Sequence, residues 1–147
     1  MKENAQISQL LARFHELRIA EQIDYEKFYL YSIITHSTAI EGSTVTEVEN
    51  QLMFDEGIAP AGKEIAEHMM NLDLRDAYLK WLKWAKDDVR FSIEVLCQMS
   101  ASVMRRTGSL YHTMLGDFDS SKGELRKVNV QAGAGGRSYM AFQKVPD

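Results

Sequence analysis

The sequence predicts a mainly α fold: a helical bundle that ends in a C-terminal β-hairpin. Three observations predict it. Apolar residues recur at three- and four-residue spacing in successive runs up to Val103. Both prolines, Pro60 and Pro146, fall outside those runs. Five of the nine glycines lie between Gly116 and Gly136, where the helical period gives way to alternation and turn residues.

Taken in order, Ile7, Leu10, Leu11, Phe14 and Leu17 mark a first helix. A second runs from the N-cap Asp24 to Ile40, and Gly42 follows as the residue that takes a left-handed conformation without strain. Thr46 and Glu49 form a capping box for a third helix, which carries Val48 and Leu52 and ends at Gly57. "GIAPAGK" is a turn, and Ile65, Met69, Leu72, Leu79 and Leu82 stripe a fourth helix that runs to Lys86. Ser92 caps a fifth, with Leu96, Met99 and Val103 on its inner face. "LRKVNVQ" (Leu125 to Gln131) and "SYMAFQKV" (Ser138 to Val145) then alternate around "AGAGGR" as the two arms of a hairpin.

A chain of 147 residues fits one domain with one core, and 45% hydrophobic with 26% charged residues places it among globular proteins. A net charge of −4 argues against a nucleic-acid surface, which needs a basic face. No run has the length and apolarity of a membrane span, and the N-terminus lacks a signal-peptide core. The single cysteine, Cys97, has no internal disulfide partner, so a reducing, cytoplasmic setting is expected.

His15, His36, His68 and His112 form no zinc motif, and no metal site is expected. There is no phosphate-binding P-loop and no nucleophile elbow. Arg105 and Arg106 are adjacent cations near a helix end, where the macrodipole favours them. The hairpin has two readings. Its edge can accept an extended peptide as an added strand, or it is an ordinary surface hairpin lying on the helices. One acid stands out: Glu41 sits in the last turn of its helix, where a carboxylate opposes the dipole at a cost of about 0.3–1 kcal/mol. Either solvent screens it, or an arginine fork is meant to receive it. Ser37 lies four residues earlier, on the same face.

"STAIEG" resembles the inhibitory motif [S/T]-x-x-x-E-[G/N] of the Fic (Fido-domain) proteins, with Ser37, Glu41 and Gly42 at the matching positions. "AIEGSTVTEVENQLMFDEGIAPAGKEIAEHMMNLDLRDAYLKWL" is similar to that family's passage from inhibitory helix into the first Fic-domain helices. "RTGSLYHTMLGDFDSSKGELRKVNVQAGAGGRSYMAFQKVP" is similar to the segment leading through the β-hairpin flap. The resemblance spans Thr35 to Pro146 in family order. It implies N-terminal helices with the inhibitory helix over residues 1–58. Residues 59–147 are then the first part of a Fic domain that ends in the flap, the whole forming a single compact unit.

The resemblance implies a parent enzyme that transfers AMP from ATP, with Mg²⁺, to a hydroxyl of a target protein. Glu41 is then an autoinhibitory carboxylate for an arginine of the active loop, and Ser37 helps anchor its helix. Val128, Asn129, Val130, Gln131, Ser138, Tyr139 and Met140 form the flap that docks the target by strand addition. The departure is that the catalytic motif H-x-F-x-[DE]-G-N-G-R occurs nowhere in this sequence. This chain alone is therefore expected to hold no catalytic residue, to need no cofactor and to be inactive, as the N-terminal part of such a protein. Its expected partners are a complementary C-terminal half, a second copy of itself, and the target protein, with no nucleic acid and no membrane. Two other readings are a non-enzymatic helical interaction module and an antitoxin-like inhibitory subunit.

Overall fold

The computed structural model describes residues 2–133 and 136–145. Ala134 and Gly135 of the expected hairpin turn, together with Pro146, lie outside them. The fold is mainly α. Among the described residues six helices run in order: α1 (Lys2–Glu16), α2 (Ile19–Gln22), α3 (Tyr25–Ile40), α4 (Glu47–Glu56), α5 (Ile65–Lys86) and α6 (Ile93–Val103). Two short strands follow, β1 (Leu110–Tyr111) and β2 (Phe118–Asp119), paired antiparallel, and then 3-10 turns at Ser120–Lys122 and Phe142–Lys144.

The helix ends are set by their own sequence. The Asp24 carboxylate accepts from the Lys27 amide at 3.0 Å and starts α3. The Thr46 hydroxyl accepts from the Glu49 amide at 3.3 Å, and Glu49 returns the bond to the Thr46 amide at 2.8 Å. Gly57, at φ 71°, closes α4, and the Ser92 hydroxyl accepts from the Val95 amide to start α6. A short extra helix, α2, follows Arg18, which takes a left-handed φ of 50° and breaks the helical run after α1.

α5 is the spine. It packs on α3 along one side and α6 along the other, while α4 closes over α3. Ile34, Tyr31, Val45, Met53 and Ala77 form the small apolar core of this layer. The expected inward stripes differ from this. Val48 is 68% exposed and Ile65 is 73% exposed, and Leu52, Leu79, Leu82 and Leu96 also face outward. On α4 the buried residues are Asn50 and Met53, two and five residues on from Val48 and therefore turned away from it. On α5 the buried residues are Asn71, Asp73 and Ala77. The polar residues decide the rotation, because each satisfies partners that no leucine could.

At the C-terminal side, α6 packs closely on the Ser120–Lys122 turn. Gly123, at φ 71°, makes this possible: a Cβ there would stand 2.0 Å from the Cys97 carbonyl oxygen. Phe118 is buried and stacks on Tyr111 with ring centroids 4.8 Å apart. The brace between this region and the spine is an ion pair. Asp73 of α5, with 0% exposure, accepts from the Arg106 amide at 2.6 Å and from the Arg106 guanidinium at 2.5 Å. Arg106 is thus a structural partner reaching across 33 positions, and the helix dipole alone does not account for it.

Candidate functional site

The C-terminal turn of α3 carries the three residues of the motif. The Ser43 amide donates to the Thr38 carbonyl and the Gly42 amide to the Ala39 carbonyl, at 3.0 and 3.1 Å, with Gly42 at φ 96°. This six-to-one, five-to-two pattern is a Schellman turn with glycine at the left-handed position. It places Glu41 on the outside of the turn. Glu41 is exposed and makes no ion pair among the described residues. Ser37 is half-buried, and its hydroxyl makes no hydrogen bond among them. The hydroxyl that anchors the helix end is its neighbour, Thr38.

Thr38 is 2% exposed and belongs to a buried polar cluster. Its hydroxyl has the Asn71 Oδ1 at 2.9 Å, besides the Ile34 carbonyl of its own helix at 3.0 Å. Asn71 Oδ1 also accepts from Asn50 Nδ2 at 2.9 Å, and that same Nδ2 reaches the Thr35 hydroxyl at 2.8 Å. Asn71 Nδ2 donates to the Ser43 hydroxyl at 3.0 Å and to the Glu67 carbonyl at 2.9 Å. Three helices and the loop after α3 are therefore joined through two asparagines that no water reaches. Each bond is worth about 1 kcal/mol net, and each buried group left unpaired costs more than that.

The loop 43–46 that leads away from Glu41 is held from outside as well. The Glu67 carboxylate accepts from the Thr44 amide, and it also takes the Glu64 amide at 3.2 Å. These backbone donors, with Thr44 first, hold the Glu67 carboxyl below the usual range. Lys63 Nζ donates to the Thr44 carbonyl at 2.6 Å and stands 3.6 Å from Glu49. Glu49 is likewise held low, first by the Thr46 amide and then by its hydroxyl.

The expected hairpin crosses where the sequence places it but pairs over a shorter length. Gln131 and Ser138 form a single antiparallel bridge, flanked by bonds from the Tyr139 amide to the Val130 carbonyl and from the Ala132 amide to the Arg137 carbonyl, both 3.1 Å. Below the bridge, side chains replace the ladder. Arg126 donates to the Val128 carbonyl at 2.6 Å and to the Met140 carbonyl at 2.5 Å. The Asn129 Oδ1 accepts from the Phe142 amide at 3.0 Å. The second arm then turns into the Phe142–Lys144 3-10 turn, so the expected strand does not continue to Val145. In this register Gln131 and Ser138 are a non-hydrogen-bonded pair, and their own backbone groups point away from each other. Tyr139 and Met140 are both well exposed, and Val128 is half-buried.

Sequence reasoning thus located the turn, its glycine and the hairpin, and it missed Asn50, Asn71 and Arg126. Asn50 and Asn71 carried one faint signal, as amides set into helices otherwise striped with apolar residues. Among the described residues no helix is long and apolar enough to cross a membrane. No family model matches the chain, and no curated protein does.

Proposed function

We propose that this chain is the regulatory and target-docking part of a Fic-type protein adenylyltransferase, with Glu41 as its autoinhibitory carboxylate. The observation that carries the reading is the presentation of Glu41. A carboxylate at the unfavourable end of a helix dipole stands exposed and unpaired among the described residues. Yet the turn that bears it is fixed by a buried network of side-chain hydrogen bonds. A surface acid of no consequence needs no such mounting. A carboxylate that must meet one guanidinium fork does.

In this reading the arginine, the catalytic histidine, the acid that holds Mg²⁺ and the phosphate cradle belong to polypeptide outside this chain. Pairing of Glu41 with that arginine keeps ATP from its productive pose. The hairpin offers the outward backbone N–H and C=O of Gln131 to an extended segment of the target, which brings a hydroxyl into line. Asn129 contributes differently from the other flap residues, since its side-chain oxygen is already used to hold the second arm. The outward faces of Val48, Ile65, Leu79 and Leu82 support a complementary half or a second copy as a further partner. The setting is cytoplasmic, as the lone Cys97 thiol suggests.

A second reading is favoured by the hairpin alone: a non-enzymatic module that captures extended peptides, with Glu41 incidental. Labelled ATP separates the two. The intact gene product should carry little AMP, and its Glu41→Gly variant should label itself or a target strongly. Equal labelling of both proteins removes the inhibitory role and leaves the peptide-binding module.

A further inference from the structure

We infer that Asn71 is the positioning residue for the Glu41 carboxylate, so that its loss releases inhibition while leaving Glu41 in place. The inference rests on the proposed inhibitory role for its functional consequence, and on geometry for the rest. Asn71 grips the turn on both sides of Glu41. Its Oδ1 takes the hydroxyl of Thr38, three residues before Glu41, and its Nδ2 gives to the hydroxyl of Ser43, two residues after. Those are also the residues joined by the long Schellman bond, from the Ser43 amide to the Thr38 carbonyl. One side chain on α5 thus braces the closure of the loop that contains Glu41 and Gly42.

The grip is sheltered from water, although the Thr38 hydroxyl hydrogen is shared between Asn71 Oδ1 and the Ile34 carbonyl. Asn71 is 0% exposed. Its second Nδ2 hydrogen is used by the Glu67 carbonyl of its own helix at 2.9 Å, which fixes the amide plane relative to α5. Asn50 Nδ2 fills the remaining acceptor site on Oδ1 at 2.9 Å. Both Nδ2 hydrogens of Asn71 are therefore engaged and its Oδ1 faces the Asn50 amide and the Thr38 hydroxyl, so the orientation of the amide is determined. Aspartate in its place loses both donors. Leucine, of similar size, loses the donors and the acceptor.

The test uses this chain for exchange measurements and the intact protein for labelling, with three variants: Asn71→Leu, the milder Ser43→Ala, and Glu41→Gly. In this chain, exchange of the Ser43 amide should quicken about tenfold or more in Asn71→Leu and a few-fold in Ser43→Ala. Exchange of the Arg106 amide, bonded to Asp73, should not change. In the intact protein, Asn71→Leu and Ser43→Ala should raise AMP labelling toward the level of Glu41→Gly. The double variant Asn71→Leu with Glu41→Gly should label no more than Glu41→Gly alone, a result that a general loosening of the enzyme does not give. If Asn71→Leu fails to fold, Ser43→Ala carries the same two readouts. Unchanged Ser43 exchange in the folded variants overturns the inference outright. Labelling raised by Glu41→Gly but not by the other two overturns its functional half. Labelling unmoved by Glu41→Gly removes the inhibitory reading instead, and the exchange result then decides whether Asn71 holds the turn.

Discussion

The two regions that bear the proposed function are built in opposite ways. Around Glu41, the buried residues Thr35, Thr38, Ser43, Asn50 and Asn71 interlock, and the backbone turn they hold is closed by its own Schellman bonds. At the hairpin, one bridge and the side chains of Arg126 and Asn129 hold two exposed arms whose outer backbone faces solvent. In the proposed function the difference matches what each would meet. One carboxylate aimed at one guanidinium gains from a fixed mounting, because geometry sets the strength of a bidentate pair. An edge that accepts an extended peptide through backbone groups needs only to stay extended and unpaired, and it tolerates looseness that a partner strand can remove.

The comparison can be broken most severely at the brace between the two regions. Arg106→Ala leaves the Asp73 carboxylate buried without its guanidinium and should cost about 3 kcal/mol in chemical denaturation. The C-terminal region should loosen before the α3–α5 layer does. Simultaneous loss of both would mean that the two regions are one cooperative unit.

A smaller effect should sharpen the contrast. Arg126→Gln removes the fork that joins Val128 to Met140 and should lower global stability by about 1 kcal/mol or less. Exchange of the Ala132 and Tyr139 amides should rise clearly, while the Ser43 amide is unaffected. Protection unchanged at Tyr139 would show that the bridge holds itself.

The smallest effect concerns acid. Glu49 and Glu67 are both held below the ordinary carboxylate value of 4.5, by backbone donors at Thr46 and Thr44. A lowered folded value means that these bonds stabilise the fold above pH 4.5 and are lost as pH falls through the folded values. Both groups are half-buried and still reached by solvent, so the change should be slight. It should appear as local loosening of the Thr44 and Thr46 amides below pH 4.5, with the buried asparagine cluster intact. Melting of that cluster over the same range would make the outer bonds more important than the inner ones.

What the sequence made legible was local. Asp24, Thr46 with Glu49, Gly57 and Ser92 cap helices through bonds that span three residues or fewer, or through a glycine conformation, so composition and spacing suffice to read them. Gly42 was legible for the same reason. Asn71 was not, since its partners Thr38 and Asn50 lie 33 and 21 positions away. The Asp73–Arg106 brace, again 33 positions apart, was hidden likewise. The apolar stripes misled because periodicity reports that a helix has two faces, not which one the tertiary structure buries. On α4 the choice went to the face with Asn50, where a buried amide completes a network. The hairpin was legible as a crossing of two alternating arms. Its short pairing was not, because Arg126 and Asn129 take carbonyl and amide positions that a regular ladder would fill.

The central proposal is that the charge on Glu41, held in place by its helix end, keeps the proposed enzyme off. Glu41→Gln in the intact protein keeps the side chain's size and the turn while removing the charge. The account predicts that this variant labels with AMP from labelled ATP far more strongly than the parent protein. Labelling of the two to the same extent would contradict it.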